Sequence, residues 1–398
     1  MLTSGSKLAC LGLLLGFLGC SSDGSRAQDG IVVGLLLPFT GSSSATASNL
    51  ERATRYAADR INAGGGIDGT NIRILPRDTH SEIGRGVDAA RMLADEGAVA
   101  VIGPESAEIA EQIRPVLAEK NVVFLSPLVG ASAEPSLDCN APWFCLAPSA
   151  KALGEALAKQ AFDHMTRIAV FYVTSPYDRA LGSAAATRFV QLGGEVALEL
   201  ELKPDAQSYA REISDAINAN VTGAILSMSP RTAAIFVNEF AVLDSKRPQW
   251  FLSSLLKTDL FIQNVVPEAL EGALGVAPKI YERDDGFAEA FSERWVGDLP
   301  LEGAYFYYDA MALLAVALAR SANDASLTMS QAVLQASAPP GEALTWNKIE
   351  TGLDRLRRRD ALYYSGLTGP LKFHPCGARR TGITAEWAVR RGTIVDTQ

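Results

Sequence analysis

The feature that most constrains the fold is a regular alternation, from Ile31 onward, of short β-branched apolar runs with amphipathic stretches of helical period. The run IVVGLLL at 31–37 has no polar alternation, as expected of a parallel strand that is covered on both faces. Further strands are predicted at 71–75, 98–102 and 122–125, with helices between them. This order is that of a doubly wound βα unit.

A second series of the same kind starts with RIAVFYV and continues through GAILSM and QWFL to ALGVAP. Two series in a chain of 398 residues predict an α/β fold with two doubly wound parallel-sheet lobes. No Gly/Ser-rich or charged linker separates the series. We therefore expect a short hinge and two lobes that face each other across a cleft.

The turn after the third predicted strand is a candidate for binding, because ligands of open α/β sheets lie beyond the carboxyl ends of the strands. Ser106 precedes the periodic residues Ile109, Ile113 and Leu117, so a helix begins there. Its unpaired N–H groups and positive dipole end favour a polar or anionic ligand. The alternative is that Ser106 only caps its own helix.

The amino terminus has the anatomy of an export signal: one lysine, an apolar run at 8–18, then Gly-Cys and a polar spacer. Cys20 follows a small residue directly after the apolar run, so the segment resembles a bacterial lipobox, in which the cysteine is lipidated. The competing cleavage site is Ser25-Arg26-Ala27, which would release a soluble protein. Either outcome places the mature protein outside the cytoplasm, and no later segment is expected to hold it in a membrane.

Cysteine usage agrees with export. In an oxidising compartment Cys139 and Cys145, close together in DCNAPWFC, are the predicted disulfide pair. Cys376 would then be an unpaired, buried thiol. The cysteines and the three histidines have no zinc spacing, so no metal site is predicted.

Charge and motifs exclude several functions. A formal charge of −9 argues against a nucleic-acid binder, which needs a basic face. The sequence has no Gly-x-Ser-x-Gly elbow, no His-Glu-x-x-His and no phosphate-binding loop. The glycine-rich AGGGIDG follows a helix instead of a strand, so it is a helix stop and not a dinucleotide fingerprint. No catalytic residue and no cofactor is predicted.

Nine segments occur in order along residues 31 to about 395: LLLPFTG, AADRINAGGGIDG, AVAVIGPESA, VVFLSP, FCLAPS, YVTSPYDRAL, ALEGALG, YFYYDAMALL and YYSGLTGPLKFHPCG. In this order they resemble bacterial periplasmic binding proteins of the leucine/isoleucine/valine type, the substrate-binding subunits of ABC importers. The resemblance implies the type I fold, in which two lobes joined by hinge strands close on a small ligand. The expected organisation is a signal at 1–20, a spacer at 21–29, lobe 1 at 30–149 plus about 278–365, and lobe 2 at 150–277 plus about 366–398.

The resemblance also implies positions for the ligand. In amino-acid-binding members a serine, a backbone group and a threonine hold the ligand carboxylate, and an acid in the second lobe holds the ammonium. A gap-free comparison places Ala107, Leu128 and Gly130 at the three carboxylate positions. The acid is expected where this sequence has Ser254 and Leu255. The clamp for an α-amino acid is therefore incomplete, and a buried ammonium without its counter-charge would be costly.

Other residues are candidates for the cleft wall. Family members often place a tyrosine after the first strand of the second lobe, and Tyr177 keeps it. The remaining candidates are Thr40, Ser126, Ser229, Arg231 and Tyr305. Arg231 either holds an anion or is a solvent-exposed residue at a helix start. Tyr305 either lines the cleft or belongs to an aromatic core cluster.

The leading hypothesis is an extracytoplasmic substrate-binding lipoprotein of an ABC importer. It would capture a small organic ligand, an amino acid or a related amide or carboxylate, by closure of its lobes. Its partners would be permease and ATPase subunits and, through the lipid anchor, a membrane. One alternative is a sensing subunit that signals to a membrane partner. The other is a two-lobed enzyme, which would turn over its bound ligand.

Overall fold

The computed structural model describes residues 1, 30–41, 43–130, 143–244, 246–280, 286–380 and 384–397. The predicted export segment with Cys20 and the Ser25-Arg26-Ala27 site lies outside the described residues, as does Cys139. Within the described ranges, no helix combines the length and apolar character needed to cross a membrane.

The first lobe is built on a five-stranded parallel sheet in the order β2-β1-β3-β4-β5. Its strands are β1 (Ile31–Leu37), β2 (Ile72–Asp78), β3 (Ala100–Ile102), β4 (Val123–Ser126) and β5 (Trp143–Cys145), and the helices between them are α1 (Ala47–Ala63), α2 (Ile83–Asp95) and α3 (Ala107–Glu119). The central strand β1 has the predicted bounds, and its last five residues are buried. No strand is predicted at β5, which is only three residues long.

The second lobe is built on a seven-stranded sheet in the order β14-β13-β10-β9-β8-β6-β7. Its elements are α4 (Ala150–His164), β6 (Arg167–Val173), α5 (Pro176–Gln191), β7 (Glu195–Leu202), α6 (Ala210–Asn218), β8 (Gly223–Ser227), α7 (Pro230–Leu243), β9 (Gln249–Leu252), α8 (Asp259–Gln263), α9 (Pro267–Leu270) and β10 (Leu274–Pro278). The strands from β6 to β10 are parallel, which confirms the two-lobed α/β prediction. The antiparallel hairpin at the sheet edge, β13 (Thr384–Arg390) and β14 (Thr393–Thr397), was not predicted.

Between β10 and β13 the chain returns to the first lobe. This segment contains α10 (Phe287–Arg294), α11 (Glu302–Asn323), α12 (Met329–Ala336), β11 (Glu342–Leu344), α13 (Ile349–Arg357) and β12 (Leu362–Tyr364). The long helix α11 is buried along most of its length in one core with β1 and α1. Leu367, Leu371 and Phe373 belong to the same core.

The structure overturns the predicted cysteine pairing. Cys145 carries a free thiol, and Cys376 is disulfide-bonded. Cys145 is the last residue of β5 and is fully buried, with its Sγ 3.6 Å from the carbonyl oxygen of Trp143. Burial raises the pKa of this thiol. Short sequence separation therefore gave the wrong pair, because the strand directs Cys145 into the core.

Candidate functional site

A cavity of about 620 Å³ lies between the two lobes, within the range of about 300–1,000 Å³ that is usual for small-molecule sites. Its walls come from the turns that follow β1 to β5 in the first lobe and β6 to β10 in the second. These turns are at the carboxyl ends of the strands, where ligands of open α/β sheets bind. The cavity therefore lies where the sequence predicts the cleft.

Five of the predicted site residues line this cavity: Ser106, Ala107, Leu128, Tyr177 and Ser229. Ser254 and Leu255, at the position expected for the family's acid, line it as well. The structure does not bring the other five predicted residues to the cavity, and packing explains where each one lies.

Two of these five are held by polar contacts at the surface. The Thr40 hydroxyl donates to Asp78 Oδ2 and contacts His80 Nδ1, each at 2.7 Å, so it joins the turns after β1 and β2. The Arg231 side chain is 80% exposed, and its Nε lies 3.8 Å from Asp205 Oδ1. Of the two interpretations of Arg231, the exposed helix-start residue is the one that the structure supports.

The other three lie in packed regions. Ser126 is fully buried at the end of β4. The Tyr305 ring packs on Phe287, with ring centroids 4.9 Å apart, and so belongs to the aromatic core. Gly130 is buried, and a Cβ built there would lie 1.9 Å from the carbonyl oxygen of Pro148. A threonine, which the family's amino-acid binders place at this position, cannot be accommodated without moving the backbone.

Ser106 caps α3 and also faces the cavity. Its Oγ accepts a hydrogen bond from the Ile109 backbone N–H at 3.3 Å and donates one to Glu108 Oε2 at 2.7 Å. Both interactions are local, as the capping alternative requires. The Ser106 hydroxyl is therefore already hydrogen-bonded to a carboxylate in the first turn of the same helix.

The start of α5 repeats this arrangement with a buried acid. Ser175 Oγ accepts from the Asp178 N–H at 3.0 Å and donates to Asp178 Oδ2 at 2.6 Å. The hydroxyl of Ser227 donates to Asp178 Oδ1 at 2.7 Å. Burial raises the pKa of Asp178, and these hydrogen bonds oppose the rise. Both carboxylate oxygens are thus held in place inside the second lobe.

The start of α7 is also capped by a serine, and the acid beside it is reached through a threonine. Ser229 Oγ accepts from the Thr232 N–H at 3.3 Å, and the Thr232 hydroxyl donates to Asp205 Oδ1 at 3.2 Å. The Asp205 N–H donates to Thr232 Oγ1 at 3.2 Å, which fixes the loop after β7 against this helix. An acid therefore lies beside each of three helix starts around the cavity.

Glu105 is the site residue that sequence reasoning missed most completely. Its Oε1 accepts from the Thr46 hydroxyl at 2.8 Å. Its Oε2 is buried and has no hydrogen-bond partner among the described residues. Burial raises the pKa of Glu105 to about 7, and the Thr46 hydrogen bond opposes the rise. No sequence signal could have found this acid, because its environment comes from α1 and from Tyr307 on α11.

Tyr177 forms part of the cavity wall and is 7% exposed. It belongs to an apolar cluster of the second lobe that includes Leu181 and Val276, and Ala107 of α3 packs against that cluster. Burial raises its pKa, whereas a hydrogen bond with Ser254 lowers it. The tyrosine therefore forms part of the second-lobe wall of the cavity.

The fold and the cavity define a two-lobed ligand-binding protein. The chain belongs to the periplasmic binding protein family, whose model matches residues 30–380. Proteins of this family are exported to the periplasm and bind ligands. The predicted resemblance to the leucine/isoleucine/valine type is confirmed by the relatives described next.

Two relatives and one solved structure illustrate the likeness. The Leu/Ile/Val-binding protein BraC3 of Rhizobium johnstonii is 32% identical over 105 residues, which are 26% of this chain and 29% of that protein. The chemotactic signal transduction system substrate-binding protein BasB of Halobacterium salinarum is 22% identical over 85% of this chain and 82% of its own length. The leucine-binding protein LivK of Thermotoga maritima has a TM-score of 0.73 and 18% identity, covering 92% of this chain and 98% of that one.

The matched segment spans less than a third of BraC3, and the Leu/Ile/Val-binding protein homolog 1 of Brucella abortus is matched over 46% of its length, at 25% identity. The structural likeness to LivK shows the type I fold of the family.

Proposed function

We propose that the protein is the extracytoplasmic substrate-binding subunit of an ABC importer and captures a small organic ligand by closing its two lobes. The observation that carries this proposal is the cavity between the lobes, formed by the carboxyl-end turns of both sheets. The names of BraC3 and LivK, both binding proteins for branched-chain amino acids, support a role in solute capture. Permease and ATPase subunits would be its partners.

A second candidate function is ligand sensing. The relative that aligns over 85% of this chain is named as a substrate-binding protein of a chemotactic signalling system. The capture step would be the same, and the partner would be a membrane receptor instead of a permease.

The anchoring of the protein is also proposed. Lipidation at Cys20 would hold it at the periplasmic face of a bacterial membrane, whereas cleavage after Ala27 would release it into the periplasm. A fatty-acid probe should label the wild-type protein and not Cys20→Ala. Labelling that persists in Cys20→Ala would contradict the anchor.

Lobe closure is tested by small-angle X-ray scattering with a ligand identified in a thermal-unfolding screen. The radius of gyration should fall when that ligand is added at saturation, because the hinge closes the cavity. A second test distinguishes import from sensing. The ligand-loaded protein should stimulate ATP hydrolysis by the permease and ATPase encoded beside its own gene, reconstituted in proteoliposomes. Stimulation of a receptor kinase instead would favour sensing.

A further inference from the structure

We propose that the cavity binds an organic cation, such as an amine, diamine or amidine, that does not need a carboxylate of its own. This inference rests on the proposed function and names its ligand class. It departs from the zwitterionic amino acids that the names of the relatives indicate.

The walls of the cavity carry negatively charged side chains. Four acids line the cavity: Glu105 and Glu108 from the first lobe, and Asp178 and Asp205 from the second. Among the described lining residues there is no lysine, arginine or histidine. Arg231, beside the lining residue Pro230, points its largely exposed side chain toward Asp205 and the solvent. An anionic ligand would therefore meet carboxylates from both lobes and, among the lining residues that the structure describes, no cationic side chain.

The helix starts are the natural anion sites of such a cleft. The starts of α3, α5 and α7 face the cavity through Ser106, Ser175 and Ser229. Each serine accepts from its own helix backbone, and an acid lies beside each one: Glu108 bonded to Ser106, Asp178 bonded to Ser175, and Asp205 bonded through Thr232. A ligand carboxylate would have to displace these acids.

One carboxylate oxygen at the cavity wall is an acceptor that no donor of the described residues reaches. Glu105 Oε2 is buried at the cavity wall without a partner among the described residues, while Oε1 is held by Thr46. A buried acceptor of this kind is costly until a donor reaches it. A ligand N–H group would supply that donor, and a positive charge on the ligand would stabilise the ionised carboxylate.

The arrangement favours an organic cation over a metal ion. No group of three or more His, Cys, Asp or Glu in the described part of the chain is placed to hold a metal. The acids are instead distributed over both lobes, with Glu105 and Asp178 on opposite sides. A ligand with two nitrogen donors could reach acids of both lobes and so would favour the closed state.

The test is titration calorimetry of the mature protein with five-carbon probes that differ in charge: cadaverine, pentylamine, pentanamide, norvaline and pentanoate. The two amines should bind at least about tenfold more tightly than norvaline, and pentanoate most weakly. Glu105→Gln should weaken cadaverine binding at least about tenfold and leave pentanamide nearly unchanged. The matched control is Asp88→Asn, a carboxylate on α2 that is 71% exposed and outside the cavity, which should bind as wild type does.

Should Glu105→Gln fail to fold, Glu108→Gln replaces it in the test. Glu108 also lines the cavity, so its loss should weaken cadaverine binding, and its exposed side chain can be changed without disturbing the core. Tighter binding of norvaline or pentanoate than of either amine would overturn the cation inference and leave solute capture intact. Equal binding of cadaverine by wild type, Glu105→Gln and Glu108→Gln would also overturn it. Failure of every solute in a broad library to bind would instead overturn the proposed function.

Discussion

Replacing Glu105 by glutamine should change how the stability of the protein depends on pH. Glutamine keeps the acceptor that Thr46 uses and has nearly the same shape. It cannot ionise, so the variant does not bury a negative charge when the pH rises. The amide group also provides a donor near the Tyr307 hydroxyl, which has no partner among the described residues.

The sign and size of the effect follow from the raised pKa. Glu105 titrates near its ordinary value of 4.5 when the chain is unfolded and at about 7 when it is folded. The folded state therefore binds more protons between these values, and stability falls as the pH rises through them. At roughly 1.4 kcal/mol per pH unit, the loss reaches about 3 kcal/mol above pH 7.

Urea unfolding of wild type and Glu105→Gln at several pH values from about 5 to 8 measures this loss. The variant should gain stability relative to wild type by about 2.5 kcal/mol between these limits. Asp88→Asn, on the exposed surface of α2, should follow the wild-type curve. Parallel curves for wild type and Glu105→Gln would refute the argument that burial raises the pKa of Glu105.

Three further predictions concern packing and cysteine chemistry. Tyr177→Phe should keep the fold and weaken ligand binding through the lost hydroxyl. Tyr177→Ala should also lower the free energy of unfolding by about 3–5 kcal/mol. Denaturant titration of both variants checks this, and equal free energies of unfolding for the two variants would contradict it. Gly130→Thr should destabilise the protein by about 1–3 kcal/mol or more because of the carbonyl oxygen at its Cβ position, while Gly84→Ala, with nothing within 4 Å, should be neutral or stabilising in thermal unfolding. In mass spectrometry after alkylation, Cys145 should react only in unfolded protein and Cys376 only after reduction; ready labelling of either in the native, unreduced state would show that its assignment is wrong.

Much of the fold could be predicted because buried parallel strands are continuous apolar runs. β1, β6 and β9 have the predicted bounds, since each is a run of this kind between clear turn signals. The hairpin of β13 and β14 was missed, because its strands are short runs of mixed polar and apolar residues that have neither a continuous apolar run nor a strict alternation. The strand pattern therefore located the parallel core and not its antiparallel edge.

The candidate site was predictable in position but not in chemistry. The turns with Ser106, Tyr177 and Ser229 line the cavity because sheet topology alone puts them at the carboxyl ends of strands. The role of Asp178 was readable in SPYD, a serine followed three residues later by an acid, which is a helix-capping pattern. The surroundings of Glu105 could not be read from the sequence, because Thr46 and Tyr307 are brought to it from distant parts of the chain.

Ligand capture by the cavity is tested most simply by thermal unfolding of the mature protein against a library of amines, amides, amino acids and carboxylates. At least one organic cation should raise the melting temperature, because a ligand at a hundredfold excess over its dissociation constant stabilises the folded state by about 2.7 kcal/mol. A melting temperature that stays constant with every solute would contradict the claim that the cavity between the lobes captures a small ligand.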